Sequence, residues 1–188
     1  MRNTIIILLA TFFSTAIFAQ DKVMVDTDNS NLTWKAYKVT GSHNGEIKLK
    51  DGYLLMENNQ LTGGSFTIDM TTIDVQDLEG EYKQKLENHL HSDDFFSVEK
   101  FNTATLELTN VIPRGNGKEY KVEGNLTIKG NTKPVKFIAT MDGNKAMADI
   151  EVDRSEYDVR YGSGSFFDNL GDKTIYDIFE MGVNLSWN

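Results

Sequence analysis

Residues 120–128 read Tyr-Lys-Val-Glu-Gly-Asn-Leu-Thr-Ile, with Tyr120, Val122, Leu126 and Ile128 on one parity and Gly124 in the middle of it. Apolar and polar residues that alternate with period two make a strand with one buried and one solvated face. A glycine inside such a run marks a bulge or a tight bend. The same pattern continues in both directions. Downstream, Gly130-Asn131 turns the chain into Val135, Phe137, Ala139 and Met141. Asp142-Gly143-Asn144 is a hairpin signal leading to Ala146, Ala148, Ile150 and Val152. A loop over residues 162–167 follows, and then a last strand carrying Met181, Val183, Leu185 and Trp187. Upstream lie Leu106 and Leu108, separated from Tyr120 by a loop at residues 113–117.

The first half alternates in the same way. Leu32, Trp34 and Ala36 share one face of a strand, and residues 41–45 are expected to turn between two glycines. Ile47 and Leu49 come next, then a hairpin expected at Asp51-Gly52, a turn at Asn58-Asn59 and a bend at Gly63-Gly64. Phe66, Ile68 and Met70 follow on one face. About eight short strands joined by hairpin-type turns define an all-β chain. Either a closed antiparallel barrel or a sandwich would give such strands a common interior, and the hairpin linkage without long crossovers favours the barrel. With no linker, repeat or low-complexity stretch, residues 20–188 read as a single domain.

One segment breaks the alternation. Leu78, Tyr82, Leu86 and Leu90 recur every fourth residue, which predicts one short inserted helix over residues 77–90. It runs into His89, His91, Asp93, Asp94, Phe95 and Phe96, with Phe95 and Phe96 expected to lead back to extended chain. Two histidines beside two aspartates are ligand types for zinc or copper. Positions two apart on a helix face different ways, however, so the sequence favours a helix end over a metal site. No metal and no cofactor is implied.

Composition narrows the function classes. The chain has 188 residues, a net charge of -9 and no cysteine, which rules out disulfides and thiol catalysis. Residues 1–19 open with Arg2, continue through an apolar run and close on Ala19, the pattern of a secretory signal peptide. Cleavage there would remove Arg2, its only charged residue, and move the net charge from -9 to -10. An acidic exported protein is expected, periplasmic or secreted, with no footprint for nucleic acid and no stable membrane insertion. The apolar run is shorter than the ~20 residues a membrane span needs. Gly162-Ser163-Gly164-Ser165-Phe166 does not match the nucleophile-elbow register, and no phosphate-binding loop is present. No enzyme is expected.

The residues in order resemble a known family. Trp34 to Gly45 (WKAYKVTGSHNG), Gly63-Gly64-Ser65-Phe66 with Asp69-Met70, and His89-Leu90 with Ser92, Asp94, Phe95 and Phe96 come first. Gly124 to Gly130 (GNLTIKG) and Asp153-Arg154-Ser155 follow. Together they resemble the YceI-like family of exported bacterial proteins over nearly all of the chain from Val25. The likeness is nearest to members carrying Tyr161 to Phe167 (YGSGSFF) and Asp172 to Asp177 (DKTIYD). The resemblance implies a lipocalin-like barrel around a long apolar pore, in which some members hold polyisoprenoid lipids such as isoprenoid quinones. The expected partner is therefore a long-chain isoprenoid lipid, held for transport or storage, with a homodimer left open. The residues expected to line or address it are Trp34, Lys38, His43, Phe66, Met70, Leu90, Phe95, Phe96, Leu126, Ile128, Phe137 and Arg154.

Burial supplies the driving force. At about 0.8 kcal/mol per methylene, two isoprene units are worth roughly 8 kcal/mol gross, near the micromolar range before immobilisation costs. A filled barrel acting as a structural or stress-response module, and an enzyme on an apolar substrate, are the alternatives. A barrel of this size either packs its own side chains or holds one ligand.

Overall fold

The computed structural model describes residues 20–115 and 117–188, so the expected signal peptide lies outside the described residues. Nine strands and one helix follow one another: β1 (Asp21–Met24), β2 (Asn31–Lys38), β3 (Gly41–Glu57), β4 (Gln60–Val75), α1 (Gly80–His91), β5 (Thr103–Arg114), β6 (Glu119–Ile128), β7 (Asn131–Asp142), β8 (Lys145–Asp153) and β9 (Ile175–Ser186). Each strand from β2 to β9 pairs antiparallel with its neighbours, and β3 pairs with β4 as well as β2. Eight strands therefore close into a barrel, the fold the alternation predicted. The ninth strand, β1, lies along the far half of β3, with Asp21 opposite Met56 and Met24 opposite Tyr53. A turn built on Asp26, whose carboxylate accepts the backbone N–H groups of Asp28 and Asn29, separates β1 from β2.

Closure places one parity of every strand inside. Leu32, Ile47, Leu106, Val122, Ile150 and Leu185 are buried, while the intervening lysines and glutamates face water. Two ends result. The hairpins at Asn58-Asn59 and around Gly143 mark one. At the other, α1 and residues 92–102 fold across the interior, returning to the wall where the Met70 N–H donates to the Asn102 carbonyl at 3.0 Å. Glu87 anchors the helix by accepting the Val75 N–H at 3.0 Å, and Lys83 pairs with Asp74 at 2.6 Å.

Four local expectations are corrected. The turn expected at residues 41–45 is instead the two residues Val39 and Thr40, and β3 runs unbroken through Asp51-Gly52, where a hairpin was expected. Both glycines serve the interior. A Cβ on Gly45 would lie 1.9 Å from the Asp74 carbonyl oxygen and 2.7 Å from the Trp34 ring, and a Cβ on Gly52 would meet the Phe66 ring at 2.7 Å. The register slips by one residue between Leu49 and Asp51, a bulge that absorbs the bend without ending the strand. Phe95 and Phe96 do not resume a strand; they sit in consecutive turns, because Ser97 adopts φ 53° and the Phe96, Ser97 and Val98 N–H groups bond back to Leu90, Ser92 and His91. The helix begins at Gly80 rather than residue 77, and Tyr82 on its apolar stripe is exposed.

Gly45→Ala is expected to lower stability by at least about 2–3 kcal/mol, because the obstructing atom is a backbone oxygen that cannot rotate away. Urea unfolding with an unchanged slope would check it.

Candidate functional site

Two cavities lie inside the barrel, one above the other. The first, of about 120 Å³, is bounded by Trp34 and Ala36 of β2, Met70 and Ile73 of β4, Ile128 of β6 and Phe179 of β9. Leu90, Phe95 and Phe96 cover it from the helix end. The second, of about 110 Å³, lies toward the hairpin end among Leu54, Leu61, Phe66, Phe137, Ala146 and Ala148. Ile68, Leu126, Val152 and Met181 line both, so a single layer of side chains stands between them. From Leu61 to Met70 is nine steps of β4, about 30 Å of strand and roughly 23 Å along the axis at the usual barrel tilt. An eight-stranded barrel leaves this space when some inward positions are small. Ala36, Ala104, Ala139, Ala146 and Ala148 are those positions.

The lining is hydrocarbon almost throughout. Its one charged group is Arg154, 3% exposed, at the foot of the first cavity. A buried guanidinium is tolerated only where its protons are accepted. Nε donates to the Tyr176 carbonyl at 3.1 Å, one terminal nitrogen to Val159 and Tyr161 at 2.8 and 2.9 Å, and the other to Ile175 at 3.0 Å. The last nitrogen also lies 3.3 Å from Oδ1 of Asp177, an ion pair without hydrogen-bond alignment. Burial lowers the pKa of Arg154, and Asp177 and Asp153 oppose that. Four of the five N–H groups are thus committed to holding residues 159–161 and the start of β9 together, and the fifth lies on the nitrogen beside Asp177. The Arg154 Cζ lies over the Phe95 ring, 5.6 Å from the ring centre.

The sequence-predicted residues separate accordingly. Trp34, Met70, Leu90, Phe95, Phe96 and Ile128 line the first cavity, Phe66 and Phe137 the second, and Leu126 both. Arg154 lines the first, with four of its five donors bound to backbone carbonyls. Lys38 shares the parity of Trp34 and lies beyond the cavity at the end of β2, where Lys38 pairs with Gly41 and Ile175. Tyr37 points outward, its hydroxyl 3.1 Å from the Glu180 carboxylate. His43 bonds Asp77 at 2.8 Å near the rim. Burial raises the Asp77 carboxyl, but the Asn44 N–H and His43 outweigh it and hold the carboxyl below its usual range. His89 packs edge-on against Phe95 and Tyr161.

Sequence reasoning missed Ile175, Tyr176 and Phe179, because the last strand begins six residues before Met181. Phe179 shares the parity of Met181 and Val183, so extending the alternation backwards would have found it.

These features can be set beside known proteins. A family model described as "YceI-like domain" matches residues 24–186. The chain belongs to the YceI-like family. A UPF0312 protein of Vibrio vulnificus is 38% identical over 99 residues, covering 53% of this chain and 50% of its own length. One from Pseudomonas aeruginosa is 37% identical over 89 residues, covering 43% and 45%. The chain thus spans about half the length of the curated relatives it matches. Among solved structures, Burkholderia cenocepacia BcnA superposes with a TM-score of 0.70 at 20% identity, over 87% of this chain and 99% of BcnA. A polyisoprenoid binding domain from Saccharophagus degradans, implicated in plant cell wall breakdown, gives 0.59 at 10% identity, over 90% and 100%. At these identities the likeness is one of fold.

Arg154→Lys is expected to cost at least about 1–3 kcal/mol in urea unfolding, since an ammonium has three donors for four carbonyls and leaves a buried acceptor unpaired. Tyr157, 1% exposed, is pushed from 10.0 to about 12 by burial, with Glu156 and Asp153 adding to it. A raised folded-state pKa stabilises fully below pH 10.0 and is lost as pH climbs through about 12. Tyr157→Phe should remove that loss and move the alkaline unfolding midpoint upward.

Proposed function

We propose that the protein binds one long apolar chain, of polyisoprenoid or isoprenoid-quinone type, inside the barrel and keeps it from water during transport or storage. The observation that carries this reading is the pair of hydrocarbon-lined cavities in line along the barrel axis, divided only by Ile68, Leu126, Val152 and Met181. Side chains of this kind exchange rotamers at small cost, and a tail threaded past them would join the two spaces. Apolar burial alone drives such binding.

Two further points support it. The lining gives a bound molecule hydrocarbon contacts, and four of the five Arg154 donors are already held by backbone carbonyls, so the polar head stays outside and selection rests on tail length and width. This suits a carrier better than a catalyst, which needs acid, base or nucleophile at the reacting atom. The protein of like fold from Saccharophagus degradans is described as polyisoprenoid binding. The leader pattern of residues 1–19 adds that the carrier works outside the cytoplasm, and a mature N-terminus at Gln20 in a periplasmic or secreted fraction would test that point.

Protein purified gently from its own host should carry a long isoprenoid lipid in native mass spectrometry. Ala148→Phe, which fills the hairpin-end cavity, should shift the bound population to shorter tails at a stability change of no more than about 1–3 kcal/mol. A lipid-free protein that also takes up none of a polyprenol series would overturn the proposal.

A further inference from the structure

The barrel wall is not sealed equally all round. β7 and β8 are joined by the turn at Gly143, and their register runs from Asp142 opposite Lys145 to Ala139 opposite Ala148, where it stops. Residues 131–138 of β7 and 149–153 of β8 continue without pairing to each other. Over these residues both strands remain registered on their other sides, with β6 and with β9. Every other adjacent pair of the barrel holds at least six partners in register, against four here.

This seam is framed. The hairpin closes one end. At the other, Lys129 Nζ donates to the Asp158 carbonyl at 2.8 Å and Asn131 Nδ2 to the Tyr157 carbonyl at 3.3 Å. Cavity-lining residues reach it from both sides, Val135 and Phe137 on β7 and Ile150 and Val152 on β8. Carried forward, the hairpin register would set Phe137 against Ile150 and Val135 against Val152, so the seam opens on the tunnel where its two cavities meet.

Parting any other strand pair breaks a ladder of backbone hydrogen bonds beside an apolar interior, whereas parting this seam separates side chains. The helix end offers no comparable route. It is tied by the Phe96, Ser97 and Val98 N–H bonds and by the Arg154 network. Tyr157, at the foot of the seam, gives a second indication. Its ring is buried and its hydroxyl finds no protein partner, an unpaired polar group that hydration on opening would satisfy.

We infer that the β7–β8 seam is a lateral gate, through which a single apolar chain enters the barrel sideways while its polar head stays at the outer rim. This rests on the reading of the interior as the binding site. The gate passes a chain about one side chain wide, and it lets a head too broad for the tunnel remain in water beside Lys136, Asp149 and Glu151.

The chain lacks cysteine, so introduced thiols would be the only ones. Lys136→Cys with Glu151→Cys puts one thiol on the exposed face at each side of the seam, to be bridged by a short, reducible thiol crosslinker. Glu123→Cys with Lys136→Cys bridges the registered β6–β7 pair as a control. Uptake of solanesol, a long polyprenyl alcohol, by lipid-stripped protein is followed by native mass spectrometry before bridging, after bridging and after reduction. Each protein thereby serves as its own folding control. The bridged seam should load at least about tenfold more slowly and recover on reduction, while the bridged control loads at the unbridged rate. A bridged seam that loads as fast as the control overturns the gate and leaves the binding site standing. Failure of every unbridged form to take up solanesol overturns the binding site, and the gate with it.

Discussion

The pairing of β3 with β4, together with that of β3 with β2, closes the sheet on itself, and the rest of the molecule follows from that closure. A closed antiparallel sheet has no free edge to protect, and it divides every strand into an inner and an outer parity. The inner parity then has to fill a cylinder whose width is set by strand number. Where alanines fall on it, the cylinder is left partly empty, as two spaces divided by one layer of side chains. Hydrocarbon walls around such a space make it a place for a tail.

The ends needed separate solutions. At the hairpin end tight turns suffice. At the other, the chain between β4 and β5 folds over as α1 and its following turns, bringing Leu90, Phe95 and Phe96 down onto the cavity. Opposite them Arg154 fastens the segment after β8 to the start of β9 through four backbone carbonyls. Arg154, expected from the sequence to line or address a ligand, lines the first cavity and also serves as a structural clamp.

Much of this could be read from residue order. Tyr120, Val122, Leu126 and Ile128 disclose their strand because a period of two survives any tertiary context in which one face is wet. Helix α1 was visible for the equivalent reason at period four. The turns at Asn58-Asn59 and Gly130 were visible because those residues tolerate positive φ. What misled were glycines placed for space rather than conformation: Gly45 makes room for Trp34 and Gly52 for Phe66, and neither contact is local in sequence. Lys38 and His43 were drawn in by their chemistry, yet the end of β2 and the bond to Asp77 keep them off the cavity. The incomplete β7–β8 ladder had no signature at all, since its residues alternate as faithfully as any others.

On our proposal the two cavities serve as one tunnel for one chain. A crystal structure of protein taken from its own host tests it most directly. A single elongated density is expected, running from Trp34 and Phe95 past Ile68, Leu126, Val152 and Met181 to Leu61. Those four side chains well ordered and closed against one another, with no such density even after soaking in solanesol, would contradict it.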